Sequence, residues 1–382
     1  MEYLHVDTAV AQESKRPLAP CGDAFFCRRT IYHTTLIVCD GIGSGVRAHV
    51  ASQMNVSRLA QLLEGGVSLR DAFMSVVETV SGWRDVTMPF SAFSVARIIG
   101  DGLSTVLCYE MPPPIFIGLQ SACVLSGDPL LVRAGVANEY HFRVAPGEGV
   151  VLVSDGIVQA GLGGPSAGGW TVQGVERLLS GLLKEDRRPQ ALANGIRSEA
   201  RSWDGVPSGD DKTVAVALSR PGLVVDVMTG PPSVKESDGQ TVRDFMARDG
   251  IKVVCGATTA EIVARHINKD VEVEQRTYSL STPPRYFIRG IELVTEGVVT
   301  LNQALRILGE DVRAKYDRSA AADLAALFQE ADFIRFLVGG ASNPVNEDLV
   351  YVKQGILARD RVVLLLSEEL KKKGKLVSVE NV

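Results

Sequence analysis

The chain has 382 residues, of which 46% are hydrophobic and 22% charged, and a formal net charge of −5. This balance excludes a disordered chain and leaves room for two domains of about 100–200 residues each. It also supplies no global basic field for nucleic acid and no attraction to anionic lipid.

The opening MEYLHVDTAVAQESKRPLAP lacks a basic segment followed by an apolar run, so no signal peptide is expected. No run of about 18 apolar residues occurs, so no membrane span is expected either, and the protein reads as cytoplasmic. Cys21, Cys27, Cys39, Cys108, Cys123 and Cys255 show no CxxC spacing and read as buried free thiols of a reducing compartment.

Residues 31–40, IYHTTLIVCD, form an apolar run that reads as a buried strand delivering Asp40 at its end. After GIGSG, the residues Val46, Val50, Met54, Leu59 and Leu62 recur at helical spacing until Gly65-Gly66 stops the helix. Ser68 caps a second helix with Leu69, Phe73, Val76 and Val77 on its apolar face. SAFSVARIIG, LSTVLCYEM, IFIGLQSACVL and LLVRAG read as consecutive antiparallel strands. VVLVSDG is a further strand, helices follow near Val172–Leu183 and Pro189–Ser202, and SGDDKTVAVAL is a turn feeding a strand. Strands flanked by helix pairs imply sheets packed face to face with helices outside, an α+β architecture. Prolines and polar residues near 220–240 mark a break, which reads as a linker or as a first strand plus turn. Beyond it helices and strands alternate, as in a mostly parallel sheet covered by helices.

Four segments bear aspartates beside glycine: Gly22-Asp23, Asp40-Gly41-Ile42-Gly43-Ser44-Gly45, Ser154-Asp155-Gly156 and Gly209-Asp210-Asp211-Lys212-Thr213. One Asp-Gly alone reads as a turn. Several carboxylates gathered at strand ends repel one another and need protons or cations. Hard divalent ions such as Mg²⁺ or Mn²⁺ suit such oxygen ligands, and no His/Cys grouping of zinc type is present. Two ions sharing a carboxylate can activate water and clamp phosphate oxygens, which implies hydrolysis of a phosphate ester. GIGSG between strand and helix also raises a dinucleotide site, but an Asp stands directly before the glycines and the GxGxxG spacing is absent.

The ordered set of segments resembles the stage II sporulation protein E family of serine phosphatases. That family is a bacterial branch of the metal-dependent, protein phosphatase 2C-like superfamily. GDAFF, LIVCDGIGSGVRAHVASQM, VLVSDGIVQAG and GDDKTVAVAL carry the resemblance over about residues 15–220. It implies a phosphatase 2C-like α-β-β-α sandwich over residues 1–220. The smaller α/β domain over 221–382, read from its alternating pattern, gets no function from the resemblance; a regulatory or ligand-sensing role is one expectation for it. For the first domain the resemblance implies two ions, Mn²⁺ or Mg²⁺. Asp40 would bridge both, the Gly41 carbonyl and Asp23 would serve one, and Asp155 and Asp210 the other. Asp211 would bind or orient, and Thr213 would support the turn. Many relatives carry His directly after the Asp-Gly as a proposed proton donor, where this chain has Ile42. His33 and His49 read as structural, and Arg28, Arg29 and Arg47 are near enough in sequence to grip a phosphate. The implied substrate is a phosphorylated regulatory protein, such as an anti-sigma factor antagonist, and a homodimer is left open. The rival readings are a catalytically silent sensor module and a phosphatase for small phosphometabolites.

In the second half, Gly256-Ala257-Thr258-Thr259 lies between a predicted strand and helix. Free N–H groups and hydroxyls there suit a small-molecule or anion ligand, or simply cap the helix. Glu296, Gly339, Gly340 and Asn343 also fall at strand ends, where open α/β sheets collect ligands.

Overall fold

The computed structural model describes residues 3–382 apart from 44, 83–89, 164–167, 205–208, 274–284, 311–318 and 342–354. Ser44 and Asn343 therefore lie outside the described residues. The chain divides into two compact units, Leu4–Pro221 and Met1–Tyr3 with Gly222–Val382.

Leu4–Glu13 (β1) mixes small apolar and polar residues, so its strand character is weak in the sequence. The chain then forms β2 (Ala24–Arg29), β3 (His33–Gly41), α1 (Val46–Glu64), α2 (Leu69–Gly82), β4 (Ser91–Ile99) and β5 (Leu103–Tyr109). IFIGLQSACVL is not one strand but a hairpin, β6 (Ile115–Ile117) and β7 (Ala122–Val124), because Gly118 and the polar residues after it turn the chain. LLVRAG contributes only its first leucine to β8 (Asp128–Leu130). The polar-looking Ala137–Arg143 is the strand β9 instead. β10 (Gly149–Val153), α3 (Asp155–Val158), α4 (Val172–Leu182), α5 (Pro189–Asp204) and β11 (Lys212–Pro221) complete the unit.

One sheet has the order β1-β11-β10-β6-β7 and the other β2-β3-β4-β5-β9-β8. The central strands are apolar throughout because both their faces are covered, and successive side chains serve different layers. On β3, Leu36 and Val38 enter the core between the sheets, shared with Val150, Leu152, Ala215 and Ala217. Ile37 and Cys39 point the other way, to a core with Leu59, Phe73, Val76 and Val77 of α1 and α2. On β10, Val151 and Val153 pack under α4 and α5. The unit is thus a four-layer α-β-β-α sandwich. Ser68 caps α2, its Oγ accepting from the Asp71 N–H at 3.1 Å, and Phe73 meets Phe93 of β4 edge-on at 5.2 Å.

Asp7 on β1 sits against His5 and Arg220, with Arg220 Nε 2.7 Å away. The hydrogen bond from His5 and the Arg220 pair hold its carboxyl well below the usual carboxylate range. A depressed folded pKa gives stability that is present above the unfolded value of 3.8 and lost as pH falls through the folded value. Asp7→Asn is therefore expected to melt below wild type at neutral pH. The gap should close as pH falls through and below about 4, read from melting temperatures across acid pH.

The second unit contains β12 (Val224–Thr229), α6 (Asp238–Ala247), β13 (Ile251–Cys255), α7 (Ala257–His266), β14 (Glu272–Val273), β15 (Arg285–Phe287), β16 (Leu293–Thr295), α8 (Val298–Glu310), α9 (Ala320–Glu330), β17 (Phe333–Val338), α10 (Arg359–Lys372) and β18 (Leu376–Asn381). The sheet order is β14-β15-β16-β13-β12-β17-β18, with the five strands from β16 to β18 parallel. Helices α8, α9 and α10 pack on one face and α6 and α7 on the other. Of the two readings of the segment near 220–240, the strand with a turn after it holds: it contains β12, central among the five parallel strands. From β12 the chain builds outward one way through β13 and β16, then crosses to β17 and β18, which places a topological switch point beside β12. Asp226, fully buried on β12, is held by Lys252 at 2.9 Å and Arg335 at 2.6 Å from the strands on either side. Tyr3 belongs to this unit, its carbonyl accepting from Gly222 N–H at 2.8 Å and its ring packing on Phe333. Among the described residues no helix is long and apolar enough to cross a membrane. All six cysteines are free; Cys39, Cys108 and Cys255 are buried, but Cys21 and Cys27 are only half-buried and Cys123 is exposed.

Candidate functional site

The four aspartate segments meet at one end of the sandwich because the strands that carry them are paired or stacked there. β3 ends in Asp40 and Gly41, and β10 hands over through Ser154 to α3, whose first residue is Asp155. β11 begins immediately after Asp210 and Asp211, and Asp23 immediately precedes β2. Ser154 N–H donates to the Thr213 carbonyl at 3.0 Å. Thr213 N–H returns a bond to Ser154 Oγ at 2.9 Å, so the Ser-Asp-Gly and Asp-Asp-x-Thr segments are stitched to each other. Gln12 Nε2 adds a bond to Thr213 Oγ1 at 3.1 Å. The glycines serve approach. A Cβ on Gly156 would strike the Asp211 carbonyl oxygen, and one on Gly41 would strike the Ala48 carbonyl at the start of α1.

Asp23 is 2% exposed and Asp40 8%. Burial pushes the Asp40 carboxyl up to about 10, and the nearby charges of Asp23, Asp155 and Asp210 add to the rise. Neither Asp23 oxygen makes a well-directed hydrogen bond among the described residues. The Thr213 and Ser154 hydroxyls favour its charged form, but burial outweighs them and lifts it to about 7. Asp210 is raised as well, first by burial and against the pull of Lys15. Among the described residues no three acidic, His or Cys side chains close on a single ion-sized point. The donor set nevertheless fits hard cations: hard oxygen ligands, the charges of Asp23, Asp155 and Asp210 acting on Asp40, and two buried Asp23 oxygens without a well-directed hydrogen bond among the described residues.

Asp211 is spent differently from the other four. Its Oδ1 accepts from Lys15 N–H at 2.7 Å and its Oδ2 from Gly22 N–H at 2.9 Å, so it fastens the 14–23 loop that presents Asp23. Hydrogen bonds to a charged acceptor contribute about 1.5–3 kcal/mol each. Asp211→Ala is expected to loosen this loop, seen as faster hydrogen exchange at the Lys15 and Gly22 amides with the β-sheet amides unchanged. His49 Nδ1 lies 2.8 Å from the Cys21 carbonyl and tethers the same loop to α1. His33 stands half-buried at the start of β3, its pKa lowered by burial and by Arg97 and Arg28. Arg28 pairs with Glu64 and Arg29 donates to the Val6 carbonyl, so neither is at the cluster. Arg47 is exposed in the first turn of α1, and Ile42 is 53% exposed.

Two residues at the site escape a reading of the sequence. Lys15 Nζ lies 3.7 Å from Asp210 Oδ1, the one salt-bridge cation on the four aspartates among the described residues. Lys212 is fully buried, pairs with Asp204 and donates to the Asp210 carbonyl at 3.0 Å. Asp204 in turn accepts from Gly161 and Gly209 N–H at 2.7 and 2.9 Å. A lysine after two aspartates reads as a solvated charge, and its partner lies eight residues back at the end of α5.

Residues 32–219 match the model of the family described as Stage II sporulation protein E (SpoIIE). The chain is similar to the solved PP2C phosphatase domain with a fragment of the regulatory domain of the cell fate determinant SpoIIE from Bacillus subtilis. The identity is 20% over 58% of this chain, with a TM-score of 0.49, and the chain spans 65% of that relative, just under two thirds of its length. It is similar to the RsbU and RsbW domains of Rv1364c from Mycobacterium tuberculosis, at 16% identity over 64% of this chain and 69% of that one, TM-score 0.49. It is also similar to RsbX, solved in complex with magnesium, at 15% identity over 57% of this chain and all of that one, TM-score 0.40. No curated protein matches the sequence.

Proposed function

We propose, from the premise that residues 32–219 belong to the SpoIIE family of PPM-type phosphatases, that this chain is a metal-dependent phosphoprotein phosphatase. It would act on phosphoserine or phosphothreonine of a regulatory protein, of which an anti-sigma factor antagonist is the family's example. The observation that carries the reading is the buried Asp40, at the end of the sandwich where the Asp23, Asp155 and Asp210 segments meet and within reach of their charges. Carboxylates that repel one another at a partly buried site cost stability unless protons or cations offset them.

Asp40, Asp23, Asp155, Asp210 and the Gly41 carbonyl would hold two Mn²⁺ or Mg²⁺ ions. Bound divalent ions supply positive charge for phosphate oxygens and acidify water. The protein's own part is positioning. Asp211 and His49 fix the loop bearing Asp23, Lys212 fixes the turn bearing Asp210, and Ser154 and Thr213 lock Asp155 to that turn. Lys15, held beside Asp210, is the cation best placed to meet an incoming phosphate. Ile42 has no proton to give, so the leaving oxygen takes its proton from elsewhere.

Phosphate release from a phosphoserine peptide, set against a panel of sugar phosphates and nucleotides with Mn²⁺ or Mg²⁺, tests the assignment. Preference for the peptide is the expected result. Preference for a small phosphoester would replace the phosphoprotein reading with a metabolite phosphatase.

A further inference from the structure

A second site lies in the other unit and is independent of the reaction proposed above. The carboxyl ends of β12, β13 and β16 open on a cavity of about 300 Å³, lined among others by Thr229, Gly256, Thr258, Glu296, Gly297 and Arg359. It stands at the switch point of the parallel sheet, where such folds gather ligands.

β13 and β16 end in matching turns, Gly256 at φ 128° and Gly297 at φ 129°, conformations open to glycine and strained for other residues. The turns lie against each other. A Cβ on Gly297 would come 3.1 Å from Gly256 Cα, and Gly256 N–H donates to the Thr295 carbonyl at 2.9 Å. Each turn feeds a helix. α8 has its own acceptor, since Glu296 Oε2 takes the Val299 N–H at 3.2 Å. α7 has no side-chain cap, so its first amides face the cavity unclaimed by the helix.

Three further groups make this more than a helix end. Thr229 is 1% exposed and lines the cavity, and its Oγ1 has no hydrogen-bond partner among the described residues. Arg359 brings a half-buried cation, positioned by the Gly339 carbonyl at 2.8 Å. It fits only because Gly230 has no Cβ to meet its guanidinium. Glu296 adds an acceptor for hydroxyl groups.

We propose that this cavity binds a phosphomonoester of a small polyhydroxylated metabolite, a sugar phosphate or a nucleoside monophosphate. The α7 amides, the Thr258 hydroxyl and Arg359 receive the phosphate, and Thr229 and Glu296 receive hydroxyls of the body. The volume is at the small end of ligand pockets. The first turn, Thr229-Gly230-Pro231-Pro232-Ser233, lacks the glycine pattern that seats a dinucleotide pyrophosphate.

Calorimetry on the full chain, with chelator present so that the acidic cluster repels phosphate, tests this with ribose 5-phosphate, adenosine monophosphate and adenosine. At least one phosphorylated probe should bind and adenosine should not, and the tighter phosphate identifies the body. Arg359→Gln should weaken binding about tenfold or more, as for loss of a charged hydrogen bond. Thr229→Val keeps the shape and removes a hydroxyl with no partner among the described residues. It should leave the unliganded melting temperature equal or higher, yet weaken binding about threefold to tenfold. Neither phosphate binding, adenosine binding as well as its phosphate, or Thr229→Val binding like wild type would each overturn the assignment.

Discussion

Asp40→Asn is expected to cut phosphatase turnover by about 10²–10³-fold or more, the scale for losing one preorganised charge-stabilising group, while leaving the fold intact. Burial and the charges of Asp23, Asp155 and Asp210 make the Asp40 carboxyl costly to ionise. An amide has the same shape but cannot supply the negative charge that a shared cation needs. The same change should not lower the melting temperature of the chelated protein, because it replaces a buried, repelled carboxyl by a neutral group. Activity and stability should thus move apart. A substitution that merely unfolded the site would lower both. Asp155→Asn should reproduce the loss of turnover.

Lys212→Met should destabilise the first unit by about 3–5 kcal/mol, the range for removing one partner of a buried ion pair. Lys212 is fully buried and its partner Asp204 is 3% exposed at the side chain, so solvent cannot take over the lost charge. For a unit of this size about 3 °C of melting temperature corresponds to each kcal/mol, giving a fall of about 10 °C in thermal unfolding. Asp204→Leu in the same chain should recover part of that fall, since the stranded carboxylate disappears with it. Recovery stays partial because Asp204 also accepts from the Gly161 and Gly209 amides. A melting temperature unchanged in Lys212→Met would mean that the pair does not form.

The aspartates of the first site stood out in the sequence because three of their four segments set an acidic residue beside glycine next to an apolar strand, a local pattern. Their supports did not. Lys212 carries the composition of a surface residue, and only the return of α5 to the start of β11 buries it. Asp211 looks like its neighbour Asp210, and only the fold shows its oxygens occupied by Lys15 and Gly22 amides. The strands with both faces covered, β3, β10 and β11, were legible as apolar runs. β1 and β9 were not, because their alternation is diluted by small and polar residues. β12 was legible only as one of two readings, because the prolines and polar cluster that follow it also suit a linker. In the second unit the Gly256–Thr259 turn stood out by itself. Thr229 and Arg359 are 130 positions apart, and sheet order alone brings them to one cavity.

The central claim is that the acidic end of the sandwich hydrolyses phosphomonoesters with bound divalent ions. The most direct measurement is p-nitrophenyl phosphate turnover by the full chain with Mn²⁺, then with chelator, then with Mn²⁺ restored. The account predicts turnover that vanishes on chelation and returns with the metal in wild type, and is absent throughout in Asp40→Asn. Turnover that survives chelation, or that Asp40→Asn retains in full, would contradict it.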